Sequence, residues 1–173
     1  MRRSGLLAVL SLAVLFGAAL FTLVGRGYSA REEPSAIEAF LARRLRYLAT
    51  PRDALERSNP LQVSPLTLAE ARDHFADHCA ICHANDGSGK TMINDGLYPP
   101  APDLRALETQ SLSDGETFYI IKNGIRFTGM PGWGGEDLEN WKLVLFIRHL
   151  PELSAGELEL MAELNGLRVA GSR

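Results

Sequence analysis

The chain has 173 residues, 46% apolar and 23% charged, with a formal net charge of −3. That length holds one ordinary domain with a real core, plus extensions. The weakly negative balance, without a basic stripe, argues against nucleic-acid binding. Two cysteines are too few for a disulfide framework, and without a second ligand pair they make no zinc ribbon.

Arg2 and Arg3 precede an uncharged run from Ser4 to Gly25. As a helix this run reaches about 33 Å, enough for a bilayer core. A cleaved signal has a shorter apolar region followed by a small-x-small site. Here Tyr28-Ser29-Ala30 offers a bulky first residue and Gly25-Arg26-Gly27 places a charge in the middle. The uncleaved anchor is therefore the preferred reading over the cleaved signal. In either case the positive end stays cytoplasmic and the rest is exported. No cysteine near this segment is available to take a lipid.

Ile37, Leu41, Leu45 and Leu48 form a helical stripe interleaved with Arg43, Arg44 and Arg46. Thr50-Pro51 reads as the start of a short second helix that Asn59-Pro60 ends. This segment is expected to be a spacer partly docked on the main domain, with a lipid-surface role for the arginines as the alternative. A helix from Thr67 to His78 follows, then a long Gly/Pro segment through Gly87, Gly89, Gly96, Pro99, Pro100 and Pro102. Loops of this length in a compact domain are usually functional. Ser113-x-x-Glu116 is a capping box opening a helix to Gly124. A second Gly/Pro loop, Thr128 to Gly135, leads into an apolar helix from about Glu136 to Leu150, which Pro151 stops. Ser154-x-x-Glu157 caps a tail helix that ends at Asn165-Gly166. No segment alternates as a strand does, so the fold class is all-α. The expected organisation is an anchor over 1–30, a helical spacer over 31–65, a main domain over 66–152 and a tail helix over 153–173. Residues 66–152 carry 13 acidic and 7 basic side chains, net −6, whereas 31–65 are near neutral at +1.

Two motifs share the stretch CAICHANDGSGKT, Cys79 to Thr91. Its second half mimics the end of a phosphate-binding loop. That loop requires a first glycine where this chain has Ala84, a strand before it and a helix after it. None is present, so no nucleotide is expected and GSGKT is a polar turn. The first half, C-x-x-C-H, is a c-type haem attachment site. Cysteines at i and i+3 share one helical face, so Cys79 and Cys82 can form thioethers to the two vinyl groups of one porphyrin. His83 then brings its imidazole to the iron. A thioredoxin-like redox pair would need a βαβ context that is missing.

For the second axial position Met130 is the leading candidate. Methionines usually fill core gaps on helical stripes, but Met130 stands in a glycine-rich loop with Pro131 holding its backbone extended. Met92 is too near His83 in sequence, Met161 lies in the tail helix, and His74, His78 and His149 lie on predicted helices as surface or packing groups.

The order of a helix with Phe75, C-A-I-C-H, a Gly/Pro loop, T-G-M-P-G-W and an apolar C-terminal helix resembles a class I cytochrome c of the monohaem bacterial group with a T-G-M-P-x-W loop. The likeness covers about Leu66 to Leu150. It implies that the first and last helices cross in contact through Phe75 and either Phe146 or Trp141, with Ala71 where the family commonly has glycine. It also implies a proline carbonyl that accepts from the second imidazole nitrogen of His83, a role for Pro99 or Pro100. Trp133, by the same likeness, lies near a haem propionate or is simply a packed ring.

The expected protein is a membrane-tethered carrier with one covalent haem c per chain, held axially by His83 and Met130. It passes single electrons between redox proteins and is not itself catalytic, because a saturated iron leaves no place for substrate. The acidic domain implies a basic docking patch on at least one partner. The alternative is a permanent electron-transfer subunit of a membrane oxidoreductase complex. An open-site haem sensor or peroxidase ranks last.

Overall fold

The computed structural model describes residues 2–25, 27 and 29–167. Arg26 and Tyr28, on which the cleavage-site reading turned, and 168–173 of the tail lie outside the described residues. The helices are α1 (Arg2–Gly25), α2 (Ala36–Ala49), α3 (Arg52–Leu55), α4 (Pro65–His78), α5 (Ala80–His83), α6 (Leu107–Gln110), α7 (Asp114–Asn123), α8 (Asp137–His149) and α9 (Ala155–Asn165). Single 3₁₀ turns occur at Asn94–Gly96 and Leu150–Glu152. No strand forms among the described residues. The chain divides into two compact units, Met1–Ala30 and Arg31–Arg173.

The first unit is α1. Its stretch Gly5–Thr22 has a mean hydropathy of 2.3, and the helix is long and apolar enough to cross a membrane.

In the second unit the local sequence explains most helix ends. The Ser64 hydroxyl accepts from the Thr67 amide and Pro65 takes the first turn, where its missing N–H costs nothing. α4 packs against α8, and the crossing is dry. Phe75 and Phe146 are 1% and 0% exposed, with ring centroids 5.2 Å apart, and Ala71 is fully buried beside them. Trp141 belongs to the same core, with its aromatic partner on another helix. Its ring stacks on Phe118 of α7 at 4.2 Å, and the Arg57 guanidinium lies 4.4 Å from the Phe118 ring centroid and 5.1 Å from that of Trp141. α9 also packs on α4 and delivers Met161, fully buried, into the same core.

Two capping expectations have different outcomes. At Ser154 the box is complete: its hydroxyl accepts from the Glu157 amide, and the Glu157 carboxylate accepts from the Ser154 N–H. At Ser113 only half forms. The hydroxyl accepts from the Glu116 amide, but the buried Glu116 carboxylate turns away to the Arg46 guanidinium at 3.4 Å. A helix nearly seventy residues upstream thus takes the carboxylate that the local motif would have used. The predicted helix after Thr50 is likewise shorter than expected. The Thr50 hydroxyl bonds back to the Arg46 carbonyl and closes α2, so α3 is one turn over Arg52–Leu55. Gly115 fixes where that turn docks, since a Cβ there would lie 1.9 Å from the Ala54 carbonyl oxygen.

Glu157 also accepts from the His149 ring at 2.8 Å. Burial pushes its carboxyl up, but the Ser154 hydroxyl and N–H and the His149 ring outweigh this and hold it below its ordinary 4.5. A carboxyl depressed in the folded state adds stability that is full above the ordinary value and is lost as pH falls through the lowered one. Glu157→Gln should therefore flatten the dependence of the unfolding temperature on pH across the acidic range below about 5. Parallel acid limbs in the two proteins would show that the cap carries no linked proton.

Candidate functional site

The site is assembled from one helical turn and two Gly/Pro loops. Cys79 closes α4, and α5 carries Ile81, Cys82 and His83 in one turn. Ala84 follows with φ of 61°, a left-handed conformation that ends the turn abruptly. Neither cysteine is in a disulfide. Burial, then the neighbouring Cys82, pushes the Cys79 thiol up to about 12, and burial raises Cys82 as well. A dithiol built for disulfide exchange needs the opposite shift. Among the described residues no group of three or more His, Cys, Asp or Glu is arranged to hold a metal ion.

His83 is mostly buried, and burial lowers its pKa against the opposing Pro102 carbonyl, a shift that favours the neutral ring a metal ligand needs. Its Nδ1 is buried without a full hydrogen bond. The backbone group that acts on the ring is the Pro102 carbonyl, which pulls against burial but stops short of hydrogen-bond geometry. Pro102 lies two residues beyond the pair singled out from the sequence. Pro99, in a cis peptide bond with Tyr98, is exposed, and Pro100 is half-buried.

Buried Asn94 shapes the loop that carries Pro102. Its side-chain amide donates to the Gly89 and Ala101 carbonyls, and its Oδ1 accepts from the Ala101 N–H. Arg105 clamps the far side by bridging Asp86 at 3.1 Å and Asp103 at 2.8 Å, while the Leu104 N–H donates to the Gly87 carbonyl at 2.8 Å. GSGKT is part of this scaffold: the Gly89 N–H donates to the His83 carbonyl at 2.8 Å. No helix follows to present N–H groups to a phosphate, since only the turn Asn94–Gly96 comes next. Asn94 was not singled out by sequence reasoning. An Asn pairs with backbone carbonyls and N–H groups that no pattern reveals. Asn94→Ala should lose on the order of 2–3 kcal/mol, because several buried backbone groups would be left unpaired. Chemical denaturation measures it, and a loss below about 0.5 kcal/mol would mean that water replaces the side chain.

The second loop holds Met130. Its N–H donates to the Thr128 hydroxyl at 3.1 Å, and its carbonyl accepts from the Ile125 N–H at 3.1 Å. The loop then runs along the end of α7, where the Trp133 and Gly134 N–H groups donate to the Ile121 and Lys122 carbonyls. Glycine is required where the backbones touch. Gly124 has φ of 70°, and a Cβ there would lie 2.5 Å from the Gly132 nitrogen. At Gly129 an added Cβ would meet the Leu97 side chain at 2.8 Å. The loop of Met130 therefore abuts the loop that carries Pro102 to His83. Met130 itself is half-buried. The Trp133 ring is edge-on to the His78 ring at 5.5 Å and partly exposed. Lys122 pairs with Asp137, His74 contacts His78 and Glu139, and His149 bonds Glu157.

An all-helical domain with C-x-x-C-H on one turn and a methionine in a separate glycine-rich loop has the features of the c-type cytochromes as a class. The family model described as cytochrome C oxidase, cbb3-type, subunit III matches residues 67–147. Residues 67–147 carry a cytochrome c domain, which supports an electron-transfer haemoprotein. No curated protein matches it.

Proposed function

We propose that the chain is a membrane-tethered monohaem cytochrome c that passes single electrons between redox proteins on the periplasmic side of a bacterial inner membrane. Cys79 and Cys82 would hold one haem c by thioethers, and His83 and Met130 would be its axial ligands. The observation that carries this reading is the meeting of the two loops at Leu97 and Gly129, in a domain where the buried Nδ1 of His83 has no full hydrogen bond. When bound, the haem supplies a one-electron ferric/ferrous couple.

The residues do the positioning. For the Pro102 carbonyl to accept, Nδ1 must carry the proton, which leaves the Nε2 lone pair free to ligate. Pinned at both its N–H and its carbonyl, Met130 has a fixed backbone from which to direct its thioether. Pro99, Pro100 and Trp133 fall to the margin of the site: the prolines extend the covering loop and Trp133 closes the side near His78. Within this reading, 1–30 anchors, 31–65 links, 66–152 holds the haem and α9 of the tail completes the packing.

The family described as an oxidase subunit favours a second reading, a permanent subunit of a membrane oxidoreductase. Detergent extraction separates the two: a free carrier runs alone, a subunit in a stoichiometric complex. Optical potentiometry of the purified chain tests what they share. A single one-electron wave, with a ferrous form that does not take up carbon monoxide, is expected. Ready carbon monoxide binding would instead support an open-site sensor or peroxidase.

A further inference from the structure

α2 is amphipathic, yet it turns the wrong side to the protein. Helices docked on a domain bury their apolar stripe, but α2 has no buried residue. Its contacts with the domain are polar. The Glu38 carboxylate accepts from the Tyr98 hydroxyl at 2.6 Å near one end, and Arg46 pairs with Glu116 at 3.4 Å near the other. At about 100° per residue, Glu38, Ala39, Ala42 and Arg46 occupy the docked side. The opposite arc, roughly 160° wide, holds Ile37, Phe40, Leu41, Leu45, Tyr47 and Leu48. All six are exposed, Ile37 at 73% and Leu48 at 76%.

We propose that α2 lies in the membrane–water interface, with this apolar arc in lipid and Arg43 and Arg44 on anionic headgroups. The inference rests on the anchoring role assigned to α1 under the proposed function. Chain length and charge select lipid as the occupant. Only the segment 26–35 separates Gly25 from Ala36, and fully extended it reaches at most about 36 Å, so α2 cannot leave the neighbourhood of a span at α1. With Arg46 and Glu38 engaged by the domain, Arg43 and Arg44 remain to meet headgroups, whereas residues 66–152 are net −6 and are repelled by an anionic surface. Arg44 stands within the apolar arc with its guanidinium 5.5 Å from the Phe40 ring centroid, a long side chain able to extend its charge to the headgroups. Phe40 and Tyr47 flank the leucines, as aromatic residues do at an interface. With both ends of α2 tied to the domain, lipid contact fixes one face of the domain towards the bilayer. Tyr98, which receives Glu38, belongs to the same loop as Pro102.

Spin labels on the full-length, haem-loaded chain test this in vesicles of phosphatidylethanolamine with a minority of phosphatidylglycerol. Leu41→Cys, Leu45→Cys and Leu48→Cys carry the label in turn. Val14→Cys in α1 sets the hydrocarbon reference, Glu159→Cys sets the water reference, and the unsubstituted chain is the blank. The α2 labels should favour dissolved oxygen over a water-soluble nickel chelate several-fold more than Glu159→Cys does, at every protein-to-lipid ratio. Water-like labels on α2 with a hydrocarbon-like Val14→Cys would overturn the proposal and leave the anchor standing. Water-like signals at both would overturn both. Immobilisation that grows with protein-to-lipid ratio would assign the arc to a second copy, and immobilisation only with a co-purifying protein would assign it to that partner.

Discussion

Met130→Ala is expected to abolish the far-red iron–sulfur absorption band of the oxidised protein and to lower its reduction potential by about 0.2 V, a fraction of the roughly 0.8 V that axial ligands span. The thioether favours the ferrous form, and alanine leaves only water or a foreign side chain to replace it. The backbone is not expected to follow. Thr128 and Ile125 hold the loop through main-chain groups of residue 130, which alanine retains, and Gly124 and Gly132 keep their close approach. The variant should therefore stay folded and keep its covalent cofactor while its spectrum and potential change. Met92→Ala is the control: that methionine is 92% exposed, and the spectrum should not move. If Met130→Ala keeps the band, another ligand holds the sixth position and the proposed pair is wrong.

Phe146→Ala should be the most destabilising single change in the domain, at about 3–5 kcal/mol. Phe146 is fully buried, pairs with Phe75 at 5.2 Å and sits where α4 and α8 cross. The loss combines the transfer energy of the ring, a cavity in a core already filled by Leu143, Val144 and Met161, and the aromatic pair itself. Thermal unfolding followed by circular dichroism measures it. Trp141→Ala also costs stability, but through a different contact, since its ring rests on Phe118 beneath Arg57. The two losses should add, because the side chains share no aromatic partner. A cost below about 1 kcal/mol at Phe146 would mean that the crossing collapses to fill the void.

Helix ends were legible wherever the signal is local. Ser154 with Glu157 and left-handed Gly166 need only neighbours within a few residues, and each behaves as its sequence implies, whereas Ser64 and Pro65 start α4 two residues before the expected Thr67. The C-x-x-C-H turn is equally local, as is the failure of GSGKT to meet a helix. What escaped was decided at a distance. Glu116 leaves its capping box because Arg46, on another helix, offers a charge in a buried place where water cannot compete. Three prolines stand within four positions, and only the fold selects Pro102 to face His83. Met161 reads as one apolar residue on a short tail helix, yet α9 folds it into the main core. Asn94 looks like any loop asparagine until Gly89 and Ala101 close around it. The stripe on α2 was visible, but which side it turned to the domain was not.

The central claim is that Cys79 and Cys82 bind haem covalently through thioethers. Intact mass spectrometry of the chain, purified from a host that matures c-type cytochromes and denatured before measurement, tests it directly. The chain should carry the mass of one haem through denaturation, and Cys79→Ser/Cys82→Ser should lose it. A wild-type chain that returns its unmodified mass would contradict the account.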